Sequence, residues 1–455
     1  MSEFTFADVV TSFRGGSSFT KREYSSAGIP VIAKGDVKKF GRMSSEYSRY
    51  ITEELKEEKN YPLTEEGDLI VTTRDLTTAA NFLGLLSPVP PPYRFAVNQG
   101  ANILRLDEGK VNPRYLVYWT HCPDYRSHIK NHAVGSTQIH IRKDDFLSAP
   151  IALPPLKKQK AIAHILGTLD DKIELNQNMN QTLEDIAKAI FKSWFVDFDP
   201  VRGKAEGRPT GLPPEISDLF PDELVDSEIG EIPKGWETTF LSNQLSFVLG
   251  GDWGKADGSD ATPHECRCVR GADIANLQQF VWSDMPTRYL KESSFKKRSL
   301  QDWDIVFEIS GGSPTQSTGR SVLITKQLLN AYEASVTTSN FCRLLRFSNP
   351  QTALFHYQKF RSSYDRDEFF MYETGTTGIK NFGFKYYSED IPYALPPSSL
   401  LVEFFEIAQP MIEKAGINMR ENMVLSELRD TLLPKLISGE LRIPDAEKFL
   451  EEAGI

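Results

Sequence analysis

Long apolar runs are missing from this chain of 455 residues, and no basic patch near its start leads into one. A membrane-spanning helix needs about 20 consecutive apolar residues, so spanning and secretory classes are set aside and a soluble protein is expected. Cysteine is scarce. Cys122, Cys266, Cys268 and Cys342 show no framework spacing, which excludes a disulfide scaffold and fits a reducing, cytoplasmic compartment. Net positive charge is lacking too, with 52 Lys and Arg against 62 Asp and Glu and a formal charge of −10. The acid excess is local, however. Residues 1–150 hold 19 basic and 18 acidic side chains and residues 235–394 hold 17 and 18, whereas 216–234 hold 1 and 6 and 395–455 hold 6 and 11. Neither long mixed stretch is basic enough to grip nucleic acid through phosphate contacts alone, so a reader of DNA built this way needs partner subunits for much of its affinity.

Catalytic motifs are also wanting. An adenine methyltransferase needs Asn or Asp before Pro-Pro-aromatic, and Pro90-Pro91-Pro92-Tyr93 has proline there, with no acceptor for an amino group. In Ser310–Ser321, Gly312 and Gly319 enclose six residues rather than four and arginine stands in place of the phosphate lysine, so a nucleotide cradle is not expected. His264, Cys266 and Cys268 are too tightly spaced for an ordinary zinc site and read as strand residues with buried thiols. No nuclease carboxylate–lysine cluster follows Pro123-Asp124 or Pro221-Asp222. The chain reads as catalytically empty, with no metal or cofactor of its own.

What is present is a repeat. Gly135-Ser136-Thr137-Gln138-Ile139 recurs as Gly375-Thr376-Thr377-Gly378-Ile379, and Leu153-Pro154-Pro155 as Leu395-Pro396-Pro397. Asn102–Leu106 aligns with Asn340–Leu344, and Gly67–Val71 with Trp303–Val306. Two similar mixed α/β units are implied, each followed by a long helix, and such a molecule suits a roughly twofold partner such as duplex DNA with a split target. Strands are expected at Pro30–Ile32, Leu69–Thr72, Phe95–Val97, Ile103–Leu106, Asp304–Phe307, Ser321–Ile324 and Asn340–Leu344, and helices around Tyr115–Trp119 and Ala353–Tyr357.

From Lys157 to Phe195, steps of four and three pick out Ile162, Leu166, Leu169, Ile173, Asn176, Asn180, Leu183, Ala187, Ile190 and Trp194, a coiled-coil seam. The second copy reads Phe404, Ala408, Met411, Ala415, Asn418, Asn422, Leu425, Arg429, Leu432 and Leu436, with Pro410 expected to kink it and Gly416 to weaken it. In an antiparallel pair Asn176 would meet Asn422 and Asn180 would meet Asn418, fixing register. The alternative is a seam shifted by one residue, with Leu175 and Met179 inside and the amides in solvent. Six prolines in residues 199–234 point to an ordered-to-extended connector.

Three further stretches carry a resemblance over essentially the whole chain: Leu169–Asn176 with Phe191–Pro200, then Gly230–Trp236, then Leu432–Leu441. Together they resemble the specificity subunit of type I restriction–modification systems. The resemblance implies an α+β fold: two similar target-recognition domains separated by two long antiparallel helices in a coiled coil, with pseudo-twofold symmetry. Its parts would be recognition domain 1 (1–152), spacer helix 1 (153–198), a connector (199–234), recognition domain 2 (235–394), and spacer helix 2 with the C-terminal tail (395–455). It further implies a non-catalytic subunit whose domains each read half of a bipartite duplex DNA sequence. Two methyltransferase subunits would dock on the helices and motor-nuclease subunits would join the complex. S-adenosylmethionine, ATP and Mg are expected on those partners.

Candidate DNA contacts are loops that combine small residues with donors. In the first repeat these supply Arg14, Ser17, Arg74, Gln99, Ser136, Thr137 and Gln138; in the second, Trp253, Lys255, Gln316, Arg320, Thr376, Thr377 and Lys380. The shared Gly-Ser/Thr-Thr motif suits backbone positioning, and the divergent stretches 14–22, 72–82, 250–260 and 311–320 suit sequence choice. A freestanding DNA-binding adaptor and a coiled-coil scaffold for proteins are the other functional readings.

Overall fold

The computed structural model describes residues 4–44, 46–75, 77–136, 138–313, 315–332, 334–375 and 378–452. Its contacts divide into two units, Met1–Lys172 with Leu425–Ile455, and Ile173–Val424. In the first, a four-stranded antiparallel sheet runs in the spatial order Val10–Gly15, Ala101–Leu106, Leu69–Thr72, Leu86–Pro88. The run Leu69-Ile70-Val71-Thr72 is buried at every position, as an inner strand covered on both faces must be. A three-stranded sheet places Ile29–Ile32 between Tyr50–Ile51 and Ala96–Val97, pairing parallel with the latter. Phe4–Thr5 pairs with Pro150–Ile151, so one short ladder joins the points where the chain enters and leaves the domain.

The second unit repeats this plan strand for strand. Its four-stranded sheet is Leu245–Gly250, Cys342–Phe347, Ile305–Glu308, Ser321–Leu323, and its three-stranded sheet sets His264–Val269 between Thr287–Leu290 and Ser335–Thr338. Glu237–Phe240 pairs with Pro392–Leu395 at the entry and exit. Even an irregularity recurs: the register shifts between Val10 and Ser12 in one copy and between Leu245 and Phe247 in the other.

Strand pairing corrects two sequence alignments: Ile139 faces Asp75 as Lys380 faces Gly311, so Ile139 corresponds to Lys380 and not to Ile379. Val71 faces Asn102 and Phe307 faces Arg343, so Asn102 corresponds to Arg343 and not to Asn340. The recurrence of Gly67-Asp68 and Trp303-Asp304 has a structural cause. Gly67 and Trp303 both adopt left-handed backbone, with φ of 84° and 67°. Each following aspartate is buried and serves as a hub. Asp68 accepts from Glu65 N–H (2.9 Å), Arg14 (3.0 Å) and Arg105 (3.0 Å); Asp304 accepts from Gln301 N–H and from both arms of Arg346, all at 2.7 Å.

The long helices are Leu156–Phe195 and Ser398–Ser438. Within each unit their segments lie antiparallel. In the second unit Phe191 and Trp194 meet Phe404, while Asn176 and Asn180 meet residues 415–422. In the first unit Asp170 meets Arg429, and Lys158 approaches Gly439. The amides face inward, and Leu175 is left 61% exposed. Asn176 donates to Asn422 (3.0 Å) and to Glu421 (2.9 Å), Asn418 donates to Asn180 (2.8 Å), and Asn180 donates to the Ala415 carbonyl (3.3 Å).

The second helix runs without a break through Pro410. Gly416 has a packing reason: a Cβ there would stand 2.7 Å from Cβ of Gln327, so only glycine admits the neighbouring short helix Lys326–Asn330 so closely. The proline-rich connector departs from expectation. It forms helices Asp199–Ala205 and Pro214–Ser217 and a hairpin of Leu224–Ser227 with Gly230–Pro233. Val201 and Phe220 are buried in the same cluster as Trp194 and Trp236, so apolar burial folds the stretch back onto the second unit.

The first unit contains a buried polar knot. Asp170 accepts from Tyr118 Oη and from Arg429, both at 2.6 Å, with Arg42 at 3.6 Å. The Arg429 guanidinium lies 3.4 Å from the Phe40 ring centroid, and the other neighbour of that ring is His121 at 4.0 Å. Phe40 itself has left-handed backbone (φ 57°), and its N–H donates to His121 Nε2 at 2.8 Å. The imidazole is therefore neutral. Burial first, then Arg126, Arg429 and Lys39, push its pKa down to about 3.

Two outcomes follow for stability. Asn418→Leu alone leaves Asn180 without its partner and is expected to lower unfolding free energy by about 1–3 kcal/mol, whereas Asn180→Leu with Asn418→Leu restores or exceeds the wild-type value. Urea titration reads both; a double variant no better than the single would count against the amide pairing. His121 and fully buried His356, also depressed to about 3 chiefly by burial, make stability fall on acidification. Below pH about 6.5 the unfolded chain takes up protons that the folded chain refuses, at up to about 1.4 kcal/mol per pH unit for each histidine, and above that pH the contribution is complete. Equal urea midpoints at pH 7.5 and 5.5 would contradict this.

Candidate nucleic-acid interface

In both units the same three chain segments converge beside the sheets. The first leaves the edge strand through paired glycines. Gly16 N–H donates to Ala101 O (3.2 Å) and Gly251 N–H to Cys342 O (3.0 Å). A Cβ on Gly16 would stand 2.4 Å from Asn98 O, and on Gly251 2.1 Å from Ser339 O, so the backbone crossing excludes every side chain at these positions. The second segment is the turn before the central strand, Asn98–Gly100 in one copy and Ser339–Phe341 in the other. The third is the ladder in which Arg74 and Asp75 face His140 and Ile139, matched by Ser310 and Gly311 facing Asn381 and Lys380.

In the first unit this face is polar. Ser17 is half-buried and held by its backbone to Val97 and Gln99; Gln99, Ser136 and Gln138 are exposed. Arg74 lays its aliphatic stem over Gly100 and makes no side-chain hydrogen bond or ion pair among the described residues. Lys34 sits close enough that, after burial, Arg74 is the next cause holding its pKa below the usual lysine range. Asp75 acts on the same lysine in the opposite sense, so the neighbourhood is one of mixed charge. Thr137 lies outside the described residues, as do Thr376 and Thr377.

Three arginine and lysine expectations change. Arg14 is held by buried Asp68 at 3.0 Å. Arg320 is bidentate on buried Glu308 (2.8 and 2.5 Å) and only 15% exposed, and that bond holds the guanidinium above its usual pKa. Lys380 pairs with Glu373 at 2.6 Å, and Glu373 also accepts from Thr318 N–H. Their charges are satisfied within the fold, so they brace the face rather than reach a ligand. A single sequence hides this because the carboxylate partners lie on other strands.

The second face is different. Trp253 is exposed, with the Arg288 guanidinium 4.4 Å above its ring; that arginine donates to Trp253 O (2.9 Å) and has no carboxylate partner among the described residues. Lys255 and Gln316 are exposed, each ordered through its backbone, on Tyr289 and Ser313 respectively. Arg288, Phe341 and Lys34 are members that sequence reading missed; only the strand register places them here.

Cys266 and Cys268 are buried in one strand, and burial pushes the Cys268 thiol up to about 12. His264 is instead stacked on Phe295 and bonded to Glu292. Among the described residues no group of three or more His, Cys, Asp or Glu is placed to hold a metal ion, and no helix is long and apolar enough to cross a membrane.

Comparison with known proteins places this geometry. Residues 1–185 match the family model described as Type I restriction modification DNA specificity domain. The type I restriction enzyme MjaIX specificity subunit of Methanocaldococcus jannaschii is 25% identical over 463 residues, spanning 95% of this chain and 91% of that protein. The HindI specificity subunit of Haemophilus influenzae is 27% identical over 338 residues, 66% of this chain and 70% of its own. A crystal structure of a type I restriction-modification S subunit from M. genitalium shares the fold, with a TM-score of 0.51 and 15% identity over 95% of this chain and 94% of that one.

Arg320→Met strands Glu308 in the interior and is expected to lower unfolding free energy by about 3–5 kcal/mol, while Arg74→Met stays within about 0.5 kcal/mol of wild type. Equal urea midpoints for the two variants would refute the bracing role of Arg320.

Proposed function

We propose that the chain, similar to specificity subunits of type I restriction–modification systems, is itself such a subunit and reads a bipartite duplex sequence, one half per recognition domain. The observation that carries the proposal is the duplication itself: two domains with the same strand order and the same irregularity present unlike side chains on the same converging segments. A shared scaffold supplies a common way of sitting on DNA, and unlike faces supply different base choices. Ser17, Arg74, Gln99, Ser136, Thr137 and Gln138 would contact one half, and Trp253, Lys255, Gln316, Thr376 and Thr377 the other. Arg14, Arg320 and Lys380 hold those faces in shape.

The long helices act as a spacer whose register the four asparagines fix, and two methyltransferase subunits dock along them. Motor-nuclease subunits join through that complex, S-adenosylmethionine, ATP and Mg reside on the partners, and the assembly works in the cytoplasm. The near balance of charge in both domains favours this shared binding over a freestanding adaptor, because neither domain supplies enough cations to hold duplex alone.

Exchanging residues 1–152 for another recognition domain should alter one half of the methylated motif and leave the other half unchanged, read by sequencing methylated DNA from cells carrying the complex. A change in both halves would defeat the one-domain, one-half assignment.

A further inference from the structure

We infer that the second unit's recognition domain reads its half-site by packing thymine 5-methyl groups into an apolar cleft that the first domain lacks. The inference rests on the DNA-reading role proposed above and adds the chemical group that is read. The cleft has a volume of about 580 Å³ and is framed by Trp253, Phe341 and Ile379. These are 37%, 45% and 60% exposed, three large apolar side chains gathered around one opening.

Strand register shows how local this character is. Gly251 corresponds to Gly16, so Trp253 takes the place of Ser18. Cys342 faces Glu308 as Ala101 faces Thr72, so Phe341 takes the place of Gly100. Lys380 faces Gly311 as Ile139 faces Asp75, so Ile379 takes the place of Gln138. By the same pairing Ser310 takes the place of Arg74. The first domain thus presents Ser, Gly, Gln and Arg where the second presents Trp, Phe, Ile and Ser.

The charged groups of the cleft, and Ser310, are already occupied. Arg270 is bidentate on buried Asp273 (2.8 and 2.9 Å), Arg320 on buried Glu308, and Ser310 donates to Asn381 at 2.5 Å. Neither arginine is free to fork onto a guanine edge. What the cleft can select is an apolar projection, and in the grooves of duplex DNA the thymine methyl is that group. Duplex, rather than a protein segment, is the occupant that the surroundings favour: Arg288 and Lys255 flank Trp253 without carboxylate partners among the described residues, and Arg74 of the first domain, which makes no ion pair among them, holds the place of Ser310.

The test uses the assembled complex with its methyltransferase subunits and duplexes carrying its methylated motif. Deoxyuridine replaces thymidine in one half at a time, which removes the methyl and keeps every base-pairing group. The half belonging to the second domain is the one that survives exchange of residues 1–152. Uracil there should weaken binding roughly four-fold for each methyl buried, the effect of about one methylene-sized apolar group; uracil in the other half should leave affinity within two-fold. Phe341→Ser and Ile379→Ser, whose side chains are exposed and whose folding is verified by melting, should bind the thymine duplex more weakly and lose the response to uracil. Specific binding that ignores uracil in that half overturns the inference and leaves the DNA-reading role intact. So does a pair of variants that fail only to assemble with the methyltransferase, since the cleft would then be a protein-docking surface. Absence of any sequence-specific binding by the intact complex would instead defeat the DNA-reading role itself.

Discussion

A carboxylate buried at the side of a helix pair is the constraint on which the first unit depends. The partners of Asp170 come from three places: Tyr118 and Arg42 in the first domain, and Arg429 on the opposing helix. Removal of Arg429 takes away its closest cation in a buried site, so the domain, the first helix and the second helix are held in a single arrangement. Phe40 extends the same knot. Its ring packs against both the Arg429 guanidinium and His121, and its left-handed backbone is anchored by the imidazole. The second unit uses amides for the related purpose. Buried Asn176, Asn180, Asn418 and Asn422 find partners in only one register, where leucines would accept several.

The repeat, the helices and their inward stripe were legible in the sequence because each depends on spacing along one segment. The 4–3 steps through Ile162, Leu166 and Leu169 locate the buried face directly, and those residues are buried. Where partners lie far apart in sequence, legibility ended. Nothing near Arg320 announces Glu308 as its ligand across a strand, and nothing near Arg14 announces Asp68. The connector misled because proline and glycine marked its turns correctly while its few apolar residues, Val201 and Phe220, decided its packing. Pro410 does not end its helix, since the apolar contacts of a long helix outweigh one missing hydrogen bond.

The two repeated domains also show where a duplicated scaffold is free to diverge. Positions that carry the fold keep their chemistry: the aspartate hubs at Asp68 and Asp304, the crossing glycines Gly16 and Gly251, and the irregularity in the edge strand. Positions whose side chains leave the scaffold change freely, from serine to tryptophan and from glycine to phenylalanine. Stability and selectivity therefore reside in different residues, so a substitution on the converging segments can alter what is bound without loosening what holds the domain together.

The short ladders Phe4–Thr5 with Pro150–Ile151 and Glu237–Phe240 with Pro392–Leu395 carry a consequence for inheritance. Because each domain begins and ends at adjacent points on one seam, it forms a cassette closed by a single clasp. In the second unit the core runs on past the clasp into both helices and the connector, so exchange at that clasp would preserve the frame only where the incoming domain carries a matching apolar face.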